Sequence, residues 1–345
     1  MPTLAHDHPK AMARASIVIV SWNGRRLLER CLPTVLSQSY SEFEVVLLDN
    51  GSTDGSAEWV EAHYPSLRLI RRDRNLGFAR ANNQAIQAAR GRYVATLNND
   101  AEPDPDWLDE MVSALESSPT VGMCASRMVR ADDPSIVDSC GIEVDRAGIG
   151  WNRRGGEVDR PEEEPYEVFG PCAGAALYRR AMLDQVGMFD ADFFAGYEDI
   201  DLAWRAGRMG WRCLYVPSAR VVHRHSSTFK EGSPLKGYLL GRNKVWTLIK
   251  NYPWPQWLLL SPLILAYDTA AWGSALLAGD PNPLRGRLAA WKALPRILDK
   301  RRSIQAAGKD LALCPPRSPV RMWRTQRRLR RYLAEDDDRE EGGEG

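Results

Sequence analysis

Four short apolar runs punctuate the first hundred positions, and each gives way to a polar cluster and then to helical spacing. ASIVIVS (Ala15 to Ser21), FEVVLLD (Phe43 to Asp49), LRLI (67–70) and YVATL (Tyr93 to Leu97) are continuous and β-branched. Such runs suit parallel strands covered on both faces. Between them, RRLLERCLPTVLSQ, GSAEWVEAHY and Phe78 to Arg90 repeat apolar positions at helical intervals. The order β-α-β-α-β-α-β predicts a doubly wound, mostly parallel α/β sheet. Beyond it, Asp106 is placed to cap a helix WLDEMVSAL, with Pro103 and Pro105 ending the strand before it. VGMCASRMV reads as a further strand. The segment 137–168, rich in Gly and charge, predicts a hairpin and a loop that either shapes a substrate pocket or is a plain surface insertion.

The strand ends carry the chemistry. Ser21-Trp22-Asn23, Asp49-Asn50-Gly51 and Asn98-Asn99-Asp100 all fall at carboxyl ends of predicted parallel strands, the edge where open α/β sheets bind ligands. No GxGxxG follows the first strand and no GxxxxGK[ST] occurs anywhere, which disfavours dinucleotide and P-loop binding. A nucleotide could instead be held by side chains: a carboxylate on the base, amides on the ribose, a cation on the diphosphate. Each residue also has a plainer reading. Asp49 can make an Asx turn in DNG, Asp54 or Thr53 can cap the next helix, and Asn98 to Asp100 can be turn formers.

SIVIVSWNG, VLLDNGSTDGS, NLGFARANNQAI, YVATLNNDAEPDPDWL and FFAGYEDIDLAWRAGRMGW together resemble the family 2 glycosyltransferases, inverting enzymes of the GT-A fold, with the rhamnosyltransferase-like branch most similar. The resemblance spans about 16–227 and implies a GT-A-type sheet with a helical C-terminal extension. It implies a nucleotide-sugar donor bound by Ser21, Asn23, Asp49, Asn50, Gly51, Asn75, Gly77, Arg80, Asn98 and Asn99, with Asp49 on the pyrimidine. Asn98-Asn99-Asp100 stands where the family has DxD, and Asn98 replaces the first carboxylate. Asp100 then carries Mg2+ or Mn2+ with less negative charge around it, and His223, or alternatively His225, completes the metal site. Asp199 is implied as the catalytic base, with Glu198 as runner-up or acceptor-binding partner. A position at a helix N-terminus favours the ionised carboxylate and an unraised pKa; an Asp201–Arg205 pair at i, i+4 is expected beside it. Dimensionally similar sheets serve nucleotidyltransferases, and a catalytically degenerate scaffold of the same fold is the other alternative.

Composition then sets the surroundings. The net charge of +1 conceals a basic stretch, Arg285 to Arg331, with fifteen Lys/Arg against Asp299 and Asp310, a net of +13. The tip from Glu335 onward carries −6, and the remaining body −6. Residues 1–14 read as a flexible polar leader in which His6 and His8 need no metal, 15–232 as the catalytic domain, 233–333 as a helical, basic, membrane-associated extension, and 334–345 as an acidic disordered tail. Tyr238 to Gln256 predicts a basic amphipathic helix. Trp257 to Ala278 holds one charge, Asp268, in 22 residues, long enough to span a bilayer. The mid-segment Asp and the placement of the basic region beyond it argue instead for an interfacial or re-entrant hairpin, with Trp254, Trp257, Trp272 and Trp291 at headgroup level; the alternative is a buried helical pair closing the catalytic domain or a dimer interface. Basic regions suit anionic lipid or nucleic acid; a glycan or lipid-linked acceptor makes lipid the expected partner and nucleic acid not. Six scattered cysteines without a CxxC pair, and no apolar leader run, suit a reducing compartment, so the expected location is the cytoplasm at the inner face of the plasma membrane.

Overall fold

Strand β1 (Ala15–Ser21) puts Ile17 and Ile19 on one face and Val18 on the other, and none of the three is exposed. The same alternation in β2 (Phe43–Asp49) sends Val45 and Leu47 one way and Val46 and Leu48 the other, so the sheet has apolar layers on both sides. The computed structural model describes residues 13–160, 162–224, 233–277 and 279–307. Residues 1–12 of the expected leader, with His6 and His8, and the acidic tail, Cys314, His225 and the basic stretch past 307 lie outside the described residues.

After β1 come α1 (Arg25–Leu36), β2, α2 (Ser56–His63), β3 (Arg68–Arg71), α3 (Phe78–Ala88), β4 (Tyr93–Asn98), β5 (Ala101–Pro103), α4 (Trp107–Glu116) and β6 (Val121–Arg130). Short strands β7 (Val137–Ser139), β8 (Ile142–Val144), β9 (Gly150–Asn152) and β10 (Tyr166–Val168) follow, then β11 (Ala175–Arg179), α5 (Arg180–Val186), α6 (Glu198–Arg208) and β12 (Arg212–His223). The C-terminal part is helical: α7 (Pro234–Asn251), α8 (Trp254–Leu277), α9 (Asn282–Lys292) and α10 (Leu294–Ala307).

The main sheet runs β10-β12-β6-β11-β4-β1-β2-β3. Six of these strands point the same way; β11, inserted between β4 and β6, and the edge strand β10 run against them. The mostly parallel doubly wound sheet is therefore as expected, with β11 as a local reversal. One face is packed by α1, α2 and α4, the other by α3, α5, α6 and α7. The expected hairpin in the middle segment is β8–β9, paired antiparallel.

Three local expectations change. Asp106 stands at the N-cap position of α4 but its side chain bonds none of the first-turn N–H groups. Gly55 takes the N-cap of α2; Asp54 sits just before it, accepting from Ser56 N at 3.1 Å and, through its other oxygen, from Arg25 N at the start of α1 (3.0 Å). One carboxylate thus serves two helix starts. The largest change concerns α7, expected to be an amphipathic surface helix. Lys244 and Lys250 are both 1% exposed. Lys244 pairs with Asp268 of α8 at 2.6 Å, and Lys250 with Asp190 (2.6 Å) and Asp201 (2.8 Å). Charges from distant segments turn what reads as a basic face inward. The aromatic and aliphatic residues between them, Val245, Trp246, Leu248 and Ile249, join the same apolar cluster as α3 and α6.

Asp268 also accepts from Arg287 Nε of α9 at 3.2 Å, so it faces protein. The rest of α8 is largely bare: Leu258, Leu259 and Leu265 are 72%, 77% and 63% exposed. Among the described residues, no helix is long and apolar enough to cross a membrane.

Candidate active site

The carboxyl ends of β1, β2 and β4 meet the start of α6 and the end of β12 around one cleft of about 400 Å³. Each strand end is fixed by local hydrogen bonds. Asn98 N donates to Gly174 O (2.8 Å), and Thr96 Oγ1 to Ala173 O (2.7 Å), which lays the turn before β11 against the end of β4. Asn99 Nδ2 donates to Ser21 Oγ at 2.9 Å, joining β4 to β1. A Cβ at Gly24 would lie 2.1 Å from that amide, so the turn after β1 requires glycine. Asn50 Nδ2 donates to Asn75 Oδ1 (3.0 Å) and Asn50 Oδ1 accepts from Leu76 N (2.9 Å), which ties the end of β2 to the loop before α3.

The cleft brings together many of the residues singled out from sequence. Asn50, Asn75 and Gly77 line one end; Asn98, Asn99 and Asp100 line the floor; Glu198, Asp199 and His223 complete it. Ser21, Asn23, Asp49, Gly51 and Arg80 are not among the lining residues. Arg80 points from the exposed side of α3. Asn23, in a left-handed conformation (φ 49°), accepts from Thr53 N at 2.8 Å and faces a neighbouring surface hollow. Gly51 has φ 80°, and a Cβ there would fall 2.6 Å from the backbone of Arg74, so it allows two loops to touch. Asp49, 3% exposed, fulfils the turn role with one oxygen, accepting from Ser52 N at 3.1 Å; the other, Oδ1, is buried without a hydrogen-bond partner among the described residues.

At the end of β12, His223 Nε2 lies 3.2 Å from Asp100 Oδ1, and its Nδ1 lies 2.8 Å from Asp138 Oδ2 on β7. Asn98 Nδ2 is 3.3 Å from the same Nε2. Burial opposes charge on this ring, but the two carboxylates outweigh it and push its pKa up to about 10. Asp138 was not singled out from sequence. It does for His223 what a carboxylate does for a metal-ligating imidazole: it holds the ring orientation and leaves Nε2 aimed at Asp100. Among the described residues, no three or more His, Cys, Asp or Glu side chains are gathered into a metal cage. With its pKa at about 10 the ring holds a proton on Nε2 toward Asp100, so a divalent cation would have to displace that proton to be held by this nitrogen and the Asp100 carboxylate, its remaining positions coming from phosphate oxygens and water.

Across the chain, Tyr197 (φ 72°) caps α6, and Glu198 and Asp199 open it. The unraised pKa expected for Asp199 is not what the site gives. Burial pushes Asp199 up to about 6, against hydrogen bonds from the backbone at Ile200 and Ala173. Burial first, and then the charge of Asp199, pushes Glu198 up to about 8. Desolvation here exceeds the stabilisation by the helix terminus. Glu198 Oε2 has no partner among the described residues. The expected pair, Asp201 to Arg205, is present at 2.9 Å.

Residues 16–187 match the family model described as glycosyl transferase family 2. An N-acetylglucosaminyl-diphospho-decaprenol L-rhamnosyltransferase of Mycobacterium tuberculosis is 32% identical over 231 residues, covering 60% of this chain and 75% of the relative. The chain is a family 2 glycosyltransferase. Solved structures place the glycosyltransferase fold more widely. GalNAc-T7, solved with UDP, GalNAc and Mn2+, superposes with a TM-score of 0.57 at 19% identity, covering 70% of this chain and 49% of that one. The mannosyltransferase PcManGT from Pyrobaculum calidifontis, in complex with GDP-Man and Mn2+, gives 0.51 at 23% identity over 85% of each chain. An O-antigen biosynthesis protein of Myxococcus xanthus is 27% identical over 62% of this chain, which spans 18% of that longer relative.

Proposed function

We propose that this glycosyltransferase is an inverting enzyme that moves a sugar from a nucleoside-diphosphate donor, dTDP-rhamnose or a UDP-sugar, to a hydroxyl of a glycan carried on a lipid diphosphate. The step would belong to cell-surface polysaccharide assembly at the inner face of the membrane. The observation that carries this reading is the shared cleft: the Asp100–His223–Asp138 cluster and the Glu198–Asp199 pair line one space. The rhamnosyltransferase relative supports rhamnose and a lipid-linked acceptor as the first choices.

In this reading Asp199 removes the proton of the acceptor hydroxyl as that oxygen attacks the anomeric carbon. The bond from carbon to diphosphate breaks on the opposite face, the nucleoside diphosphate leaves with the electron pair, and configuration inverts. A buried Asp199 is a stronger base than an exposed aspartate and remains mostly ionised above pH 6. Glu198, with its higher proton affinity, orients the acceptor. The Asn98 amide suits a ribose hydroxyl, and Asp49 would take the imide N–H of a pyrimidine only by turning its buried Oδ1 toward the cleft that its neighbour Asn50 lines. Asp100 and His223 would hold Mg2+ or Mn2+, whose charge offsets that of the departing diphosphate.

The test is a panel of dTDP-, UDP- and GDP-sugars with N-acetylglucosaminyl-diphospho-polyprenol as acceptor and Mn2+ present. Transfer from one donor, with Asp199→Asn lowering it by about 10²–10⁴-fold while donor binding persists, supports the reading. Asp138→Asn is expected to raise the Mn2+ concentration for half-maximal rate about 10–100-fold. Binding of nucleotides without turnover of any donor would favour a catalytically silent scaffold.

A further inference from the structure

The carboxylate pair hangs on a loop that does not support its own shape. Phe194, Gly196 and Tyr197 all have positive φ, at 66°, 81° and 72°. Two of these are not glycine, and such conformations persist only where surroundings hold them. On one side the loop meets α3: Ala79 N donates to Phe194 O at 3.1 Å, and the Phe194 ring fills the space a Cβ at Gly77 would need. On the other side it meets α7, chiefly through two adjacent side chains, Asn243 and Arg242. Asn243, with no exposed surface, donates from Nδ2 to the carbonyls of Phe193 (2.9 Å), Ala195 (3.0 Å) and Gly196 (2.7 Å). Its neighbour Arg242 donates to Asp192 O (3.1 Å) and Phe193 O (2.8 Å), and through Nε to Asn243 Oδ1 at 3.0 Å, which fixes which way the amide faces.

We propose that Asn243 is a positioning residue for transfer, acting through residues 193–197 to hold Asp199 toward the cleft. Phe193 O also accepts from Arg242 and from Ala195 N, but among the described residues Asn243 is the one donor to the carbonyls of Ala195 and Gly196, and helix α7 lies beyond the segment matched by the family model. The helical extension thereby becomes part of the catalytic apparatus as well as a cover for the sheet. This inference rests on Asp199 being the base. Its logic is that a carboxylate displaced by about 1 Å costs on the order of 100-fold in rate without weakening donor binding.

Asn243→Ala and Asn243→Asp separate donor loss from volume loss, since Asp keeps the size and removes the N–H groups. The control is Asn251→Ala, which removes an equally buried amide from the same helix; that amide donates to Asp201 Oδ1 (2.9 Å) and Thr247 O (3.1 Å) and does not touch the loop. With dTDP-rhamnose, or whichever sugar nucleotide of the panel turns over, both Asn243 variants are expected to lose about 100-fold in kcat with donor KM changed less than about threefold. Asn251→Ala is expected to lower the melting temperature yet keep kcat within about threefold per folded molecule. Hydrogen exchange, which needs no donor, should show residues 193–197 opening faster in Asn243→Ala than in Asn251→Ala. A folded Asn243→Ala with wild-type kcat, equal kcat losses in the two alanine variants, or unchanged protection of 193–197 would overturn the proposal. Asp199→Asn measured alongside separates the two claims: inactivity there with an active Asn243→Ala removes only the positioning role, whereas an active Asp199→Asn removes the base assignment and this inference with it.

Discussion

At the scale of single residues, two adjacent carboxylates share one burial environment and differ in what it does to them. Burial pushes Asp199 up to about 6 and, with the charge of Asp199 beside it, pushes the 7% exposed Glu198 up to about 8, so the pair gives up its protons in two steps. Transfer is therefore expected to fall as pH drops through about 6, where the base becomes protonated, and the pH profile of kcat/KM checks it. The same shifts carry a stability consequence. A free glutamate loses its proton near pH 4.3 or so, well below folded Glu198. Below that pH both states are protonated and Glu198 contributes nothing; between there and about pH 8 the unfolded chain gives up a proton that the folded chain retains, so folding is progressively disfavoured. Glu198→Gln should then match the wild type in melting temperature near pH 4 and exceed it by a growing margin up to pH 8. An equal melting temperature at pH 8 would mean that water reaches this carboxyl. Asp100, His223 and Asp199, which the structure brings to one cleft, could be singled out because each sits in a run of characteristic residues. Asp138 was not: it lies 85 residues before His223, in a three-residue strand, and only folding brings the two within 2.8 Å. Asn243 gave no signal either, because its partners are backbone carbonyls, which any sequence supplies.

Among the elements, strands β1, β2 and β4 were readable because burial on both faces demands unbroken apolar runs. The reversal at β11 was not, since a small-residue strand reads the same in either direction. Helix α7 misleads for a physical reason. Its lysines look like a solvated face, and their acidic partners come from the loop before α6, from α6 itself and from α8. The mid-segment Asp268 misleads in the same way: against a bilayer it is a penalty, but here it is the counter-charge for Lys244 and Arg287. Removing it leaves two buried cations facing each other. Asp268→Ala is expected to destabilise the fold by about 3–5 kcal/mol in urea unfolding. A loss under about 1 kcal/mol would show that α8 is not held by this triad.

For the whole molecule, the question is what the exposed edge of the helical extension meets. On α8, Leu258, Leu259, Leu265, Leu276 and Leu277 are each more than half exposed, and Leu288 and Trp291 of α9 continue the apolar surface. Leucines grouped this way on one region mark a contact surface. Nearby α9 and α10 carry Arg285, Lys292, Arg296 and Arg302, and the chain beyond them is more basic still. Apolar side chains beside a positive field match an anionic lipid surface, where leucines enter the headgroup boundary and the cations meet phosphate. Such a seat would suit a lipid-linked acceptor, the class of substrate proposed for the cleft. The enzyme is expected to float with vesicles containing phosphatidylglycerol at low salt and to bind less as salt rises, since the Debye length shrinks to about 3 Å near 1 M. Leu258→Asp with Leu259→Asp should abolish flotation while leaving turnover of a soluble acceptor analogue intact, because neither residue touches the cleft. If the wild type ignores anionic vesicles and the double variant instead converts a dimer into a monomer, the apolar surface joins two copies of the chain and the membrane assignment falls.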